Sequence, residues 1–212
     1  MIKPVSLATS WAAAFALLVS LAGPVHAGAV LPGTVPGSAF EPEPLAVARQ
    51  IGVSGDAAGR PFIIVDKQAA RVFAFDGAGA LVGQTEALLG MAVGDVSPEG
   101  IGAMRLADIG PELRITPAGR FEAHLGRNLA GAQILWVDYE DAVSLHAVVT
   151  GKASERRLER LASPSVLDNR ISYGCINVPA VFFTQIVAPL FAADNGVVYI
   201  MPEGTPAGDE PK

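Results

Sequence analysis

Cys175 is the only cysteine of the chain, and it sits in the run Ser172-Tyr173-Gly174-Cys175-Ile176-Asn177. The nucleophilic form of a cysteine is the thiolate, so the question is whether its neighbours favour ionisation. Gly174 lets the backbone bend so that amide N–H groups point at a developing oxyanion. The segment 179–191 opens with a proline and carries an apolar face, which predicts a helix. A thiol close to its N-terminus would meet the positive end of the helix dipole. The same residues also suit a buried structural cysteine, so the run by itself decides nothing.

A second residue supplies the missing base. His146 lies in Ser144-Leu145-His146-Ala147-Val148, where strand alternation puts Leu145 and Ala147 on the face opposite the imidazole. A neutral ring there can accept the thiol proton, provided its other nitrogen has an acceptor such as a main-chain carbonyl. The alternative is a hydrogen-bonded strand histidine with no catalytic use. A third segment, Thr116-Pro117-Ala118-Gly119-Arg120-Phe121, has Pro at the second and Gly at the fourth turn position. It predicts a type I turn leading into a strand.

The elements that must position these residues are mostly strands. Residues 62–65, 71–75 and 80–83 are separated by Asp66-Lys67 and Asp76-Gly77, the pattern of a meander. Further β-type runs follow at 120–125, 133–139, 142–149 and 197–201. Besides the helix over 179–191, a second is predicted over 154–161. Ser154 would be its N-cap, Leu158 and Leu161 would share a face, and Pro164 would stop it. The fold class read from the sequence is therefore β-rich, mainly antiparallel with a few packed helices. No internal repeat or second module is evident.

Composition removes several functions. There are 15 Lys+Arg against 21 Asp+Glu, a net charge of -6, so no basic footprint for a nucleic acid exists. Half the residues are hydrophobic, enough for a buried core. One cysteine makes neither an internal disulfide nor a Cys-rich zinc site, and no His-Glu-x-x-His pattern occurs, so neither a metal nor a cofactor is expected.

Thr-Pro-x-Gly-x-Phe, a strand histidine and Ser-x-Gly-Cys-Ile, in that order, resemble the L,D-transpeptidase (YkuD-type) catalytic domain. The resemblance spans about 60–202, and the opening pair of strands up to Phe75 suits the family's first hairpin. It implies a β-sandwich of that type. It also implies a Cys thiolate that attacks peptidoglycan stem peptides, forming a thioester that an amine or water resolves. By position, Cys175 would be the nucleophile and His146 the base. Gly174 and the amides around Tyr173 and Cys175 would form the oxyanion site, and Ser172 would support the loop.

The chain departs from the family pattern at two places. Tyr173 stands where the family usually has His, and Asn177 where it usually has Arg. An asparagine cannot bind a carboxylate bidentately as a guanidinium does. Arg170 is the candidate to compensate, with Asn177 as the other tentative substrate contact. The interval between His146 and Cys175 is also longer than usual, and the helix over 154–161 would fill it as a lid or wall. Three readings follow: a transpeptidase, a hydrolase using the same thioester, and a wall-binding protein that has lost catalysis.

The N-terminus is read separately. Lys3, the uncharged apolar run 11–22 and Val25-His26-Ala27 form an export signal with a cut after Ala27. The apolar run is shorter than the roughly 20 residues of a spanning helix, so no membrane anchor is expected after cleavage. Loss of Lys3 leaves 14 basic against 21 acidic residues, a net of -7, and leaves His124 and His146 as the histidines. Residues 28–47, with Pro32, Pro36, Pro42 and Pro44, read as a linker before a catalytic domain over 48–202. Residues 203–212 read as a disordered tail. The expected location is the periplasm or outside the cell.

Overall fold

The computed structural model describes residues 43–193 and 195–204. The proposed leader, most of the proposed linker and the last eight residues lie outside them. Ten strands are present: β1 (Phe62–Asp66), β2 (Arg71–Phe75), β3 (Leu81–Glu86), β4 (Leu89–Gly90), β5 (Gly119–Arg127), β6 (Gln133–Asp138), β7 (Val143–Ala147), β8 (Arg170–Ser172), β9 (Ile176–Val178) and β10 (Gly196–Ile200). Eight form one sheet in the order β3-β2-β1-β10-β5-β6-β7-β9, and β4 pairs with β8 separately. The β-rich class is as the sequence predicts, but the pairing is mixed: β1 runs parallel to β10 and β7 parallel to β9.

The apolar run Phe62–Val65 is continuous because both of its faces are buried. Ile63 and Val65 join one core cluster, with Leu135, Leu145 and Ile176 from the other end of the sheet. Phe62 and Ile64 join a second cluster with Phe75, Val197, Ala48 and Ile51. Strand β5 links the two halves: Gly119–Ala123 pair with β10, and His124–Arg127 pair with β6.

The helices differ from the sequence expectation in instructive ways. Helix α1 (Glu43–Ser54) begins inside the segment read as linker. Pro44 does not prevent this, because a proline in the first turn gives up an N–H that has no intrahelical partner. Helix α2 (Arg157–Leu161) is shorter than the predicted 154–161. Arg156 adopts a left-handed conformation, φ 47°, so Ala153–Glu155 form a separate 3₁₀ turn and Ser154 caps nothing. Leu161 is 7% exposed but Leu158 is 58% exposed, so they do not share a buried face.

The helix over 179–191 is present as α3 (Ala180–Phe182), a π turn (Phe183–Val187) and α4 (Ala188–Leu190). Pro189 has no N–H for the Gln185 carbonyl and its ring crowds that carbonyl. The wider turn accommodates it. Among the described residues no helix is long and apolar enough to cross a membrane.

Two polar features hold the chain ends of this framework. Lys67, read as a turn residue, is 0% exposed. Its ammonium donates to Asp95 Oδ1 (2.6 Å), the Gly94 carbonyl (2.6 Å) and the Thr116 carbonyl (3.0 Å), and Glu203 lies 3.6 Å away. Glu203, assigned to the disordered tail, is therefore anchored, and its backbone N–H also donates to Asp95 Oδ1 (2.8 Å). Burial of a lysine demands such complete pairing.

Candidate active site

Cys175 lies in the short loop between β8 and β9, half-buried beside β7. Helix α3 starts only after β9, so the thiol has no helix N-terminus next to it. The dipole expected from the sequence plays no part. What surrounds the sulfur instead is the β7 edge: Ser144 Oγ at 3.6 Å and the Ala142 carbonyl at 3.7 Å. Strand alternation puts Ser144 and His146 on one face of β7, and Ser144 Oγ meets the Cys175 sulfur from that face.

The two groups perturb one another. Burial pushes the Cys175 thiol up, but the hydrogen bond and charge of His146, with help from Ser144, outweigh it and hold the thiol below its ordinary value. Burial pushes the His146 imidazolium down, yet the hydrogen bond and charge of Cys175 and the Ala147 carbonyl raise it on balance. Both directions favour a thiolate–imidazolium pair. His146 Nδ1 lies 2.8 Å from the Ala147 carbonyl, which only accepts, so that nitrogen carries a proton. Nε2 is left to exchange a proton with the thiol.

The loop is stapled from three sides. Ser172 Oγ donates to the Cys175 carbonyl (2.6 Å) and accepts from the Gly174 N–H (3.1 Å). The Gly174 amide is thus occupied by Ser172. Gly174 has φ 127°, and a Cβ there would lie 2.7 Å from the Ile115 carbonyl, so no other residue fits. Thr116, fully buried, donates from Oγ1 to the Gly174 carbonyl (2.8 Å) and accepts from the Gly90 N–H (2.8 Å).

The predicted type I turn at 116–119 is absent. Ile115 bridges to Ala92 and the Ala118 N–H donates to the Asp95 carbonyl. Tertiary hydrogen bonds keep this segment extended against the loop that carries Cys175.

Both tentative substrate contacts are hydrogen-bonded within the chain. Asn177 is 1% exposed. Its Oδ1 accepts from Arg157 Nη1 (2.6 Å), and its Nδ2 faces His146 Nε2 (3.2 Å) and the Cys175 carbonyl (3.4 Å). Arg170 is engaged elsewhere: its Nη2 donates to the Lys67 carbonyl (2.9 Å) and pairs with Glu203 (2.9 Å). Arg157, which the sequence reading passed over, is the guanidinium that reaches the site. Its position between His146 and Cys175 in the sequence was the available signal.

Tyr173 borders a cleft of about 190 Å³ together with Val149, Lys152, Glu155 and Arg157. The Arg114 guanidinium lies 3.8 Å from the Tyr173 ring centre, a cation–π contact that fixes the ring. His124 pairs in register with Trp136, which pairs with Ser144, and its ring stacks on Tyr139, which also stacks on Trp136. Among the described residues no cluster of His, Cys, Asp and Glu has the makings of a metal site.

Cys175 and His146, both half-buried, are the thiol and the imidazole of the candidate site. No protein-family model and no curated protein sequence matches the chain. Among solved structures, the L,D-transpeptidase LdtMt1 in complex with imipenem is similar at 14% identity, TM-score 0.38, over 66% of this chain and 58% of that one. The helical cell shape determining protein Pgp2 from Campylobacter jejuni is similar at 14% identity, TM-score 0.45, over 69% and 49%. An L,D-transpeptidase from Mycobacterium smegmatis is similar at 13% identity, TM-score 0.37, over 67% and 58%. The similarity thus spans about half the length of these structures.

Proposed function

We propose that the protein is an exported cysteine acyltransferase of the L,D-transpeptidase type, acting on peptidoglycan stem peptides outside the cytoplasm. The observation that carries this is the pairing of Cys175 with His146, with the thiol held below its ordinary value. The resemblance of the sequence around Thr116, His146 and Cys175 supplies the substrate class.

In this reading the Cys175 thiolate attacks the carbonyl carbon of the scissile amide. The developing oxyanion is met by the Tyr173 and Cys175 amides, whose donor strength does not depend on the side chain at 173. The His146 imidazolium passes its proton from Nε2 to the departing amine, leaving a thioester and a neutral ring. An incoming amine or water then loses a proton to Nε2 as it attacks the thioester, and the thiolate is released.

Intact-protein mass spectrometry after exposure to a carbapenem tests the proposal. The wild type should gain one covalent adduct and Cys175→Ala none. An unmodified wild type that is folded would overturn it, as would an adduct that persists in the alanine variant.

A further inference from the structure

The segment between His146 and Cys175 brings a guanidinium to the side of the imidazole that Asn177 occupies. Arginine has only donors, so the atom of Asn177 that meets Arg157 Nη1 at 2.6 Å must be the carbonyl oxygen. The amide orientation is thereby fixed without reference to how its two ends were assigned. Its NH₂ group then faces His146 Nε2 at 3.2 Å. A donor aimed at Nε2 requires a lone pair there, and the Ala147 carbonyl at Nδ1 requires a proton on the other nitrogen. In the neutral ring, the state before the thiol ionises, these two contacts on opposite sides select the same tautomer.

We propose that Arg157 is a positioning residue of the thiol–imidazole pair: through the Asn177 amide it fixes which nitrogen of His146 accepts the thiol proton. This rests on His146 being the base of Cys175. Arg157 is itself held by Glu155, whose Oε2 accepts from its Nε at 2.6 Å. The geometry has a chemical consequence. When the thiol proton reaches Nε2, the new N–H meets the Asn177 amide hydrogens, with the guanidinium charge behind them. Both disfavour the imidazolium, and the Arg157 charge indeed acts to lower it. A proton held against this opposition is given up more readily to a leaving amine. The groups facing the ring are Cys175 from the β8–β9 loop, Asn177 from β9 and Arg157 from α2. Glu155 and Lys152 stand behind Arg157, and Lys152 lies 3.7 Å from Glu155. Glu155 offsets part of the guanidinium charge, so the effect is moderate.

Ring ¹⁵N chemical shifts of His146, followed against pH in a Cys175→Ala background, isolate the imidazole from the thiol. The neutral ring should carry its proton on Nδ1. Arg157→Ala should raise the imidazolium pKa by about one unit, a tenfold gain in proton affinity. Arg157→Lys should restore part of the difference. Asn177→Asp replaces the opposing N–H with a carboxylate oxygen and should raise it further. It also carries the test if Arg157→Ala does not fold. A His146 titration unmoved by Arg157→Ala in a protein with native spectra, or by Asn177→Asp where the alanine variant does not fold, would overturn the proposal. These shifts need no turnover, so a wild type inert to carbapenem would refute the proposed function and leave this relay standing.

Discussion

Thr116 tests whether the loop carrying Cys175 is held by one buried hydroxyl. Valine is close to threonine in shape but has a methyl where the hydroxyl was. Thr116→Val would strand the Gly174 carbonyl and the Gly90 N–H, each now bonded to Oγ1 at 2.8 Å and each in a buried residue. An unsatisfied buried group costs about 1–3 kcal/mol, so two cost roughly 2–6 kcal/mol before relaxation. The added methyl regains about 0.8 kcal/mol of burial. A net loss of about 1–5 kcal/mol corresponds to a fall in Tm of roughly 2–20 °C for a domain of this size. Thr116→Ser keeps the hydroxyl and gives up one methyl, about 1 kcal/mol. The expected order of stability in urea or thermal melts is therefore Thr, Ser, Val, the reverse of what hydrophobicity alone would give for the last two. Below the melt, alkylation of Cys175 should also slow in the valine variant, because the Gly174 carbonyl is no longer tethered. A valine variant as stable as the serine variant and alkylated at the native rate would refute the reasoning.

Two further outcomes concern the thiol and its base. Replacing His146 with alanine should lower the acylation rate on the order of 10²–10⁴-fold, the range for loss of a positioned base, while His124→Ala changes it little because His124 stacks on Tyr139 instead. Equal losses in folded variants, by stopped-flow acylation, would contradict the assignment. The depressed Cys175 thiol sets the pH dependence: thiolate is present above its lowered value and is lost as pH falls through it. Iodoacetamide reactivity should therefore persist at pH values where an ordinary thiol is protonated, and His146→Ala should move the rise in rate to higher pH. An alkylation profile with the same midpoint in both proteins would contradict the pairing.

The sequence made the long elements legible because they have room to show a period. Strands β1, β2, β6 and β10 bury several apolar side chains each, and their runs of Phe, Ile and Val are visible without a structure. Strands β4, β8 and β9 have two or three residues each and no period to read, yet β8 and β9 flank the loop that holds Cys175. Helix α1 was hidden by Pro44, which a first turn tolerates. The candidate nucleophile and base stood out because such side chains are rare in this chain: one thiol, and few imidazoles.

The supporting residues were illegible for a different reason, since their roles depend on which backbone groups they meet. Thr116-Pro117 reads locally as a turn, and only a hydrogen bond across 58 residues to Gly174 makes it a clamp. Lys67 likewise looks like a solvated turn residue until Asp95, Glu203 and two carbonyls surround its ammonium. Asn177 shows the limit most sharply. A position compared one residue at a time suggests a lost cation. In three dimensions Arg157 of α2 reaches that position and bonds to the asparagine, while Arg170, nearer in sequence, is drawn off by Glu203. Arg157 and Asn177 are thus two halves of one arrangement. Without Arg157 the buried Asn177 amide oxygen would lose its donor, and without Asn177 the guanidinium would keep Glu155 but lose its second partner. A single 2.6 Å hydrogen bond joins them.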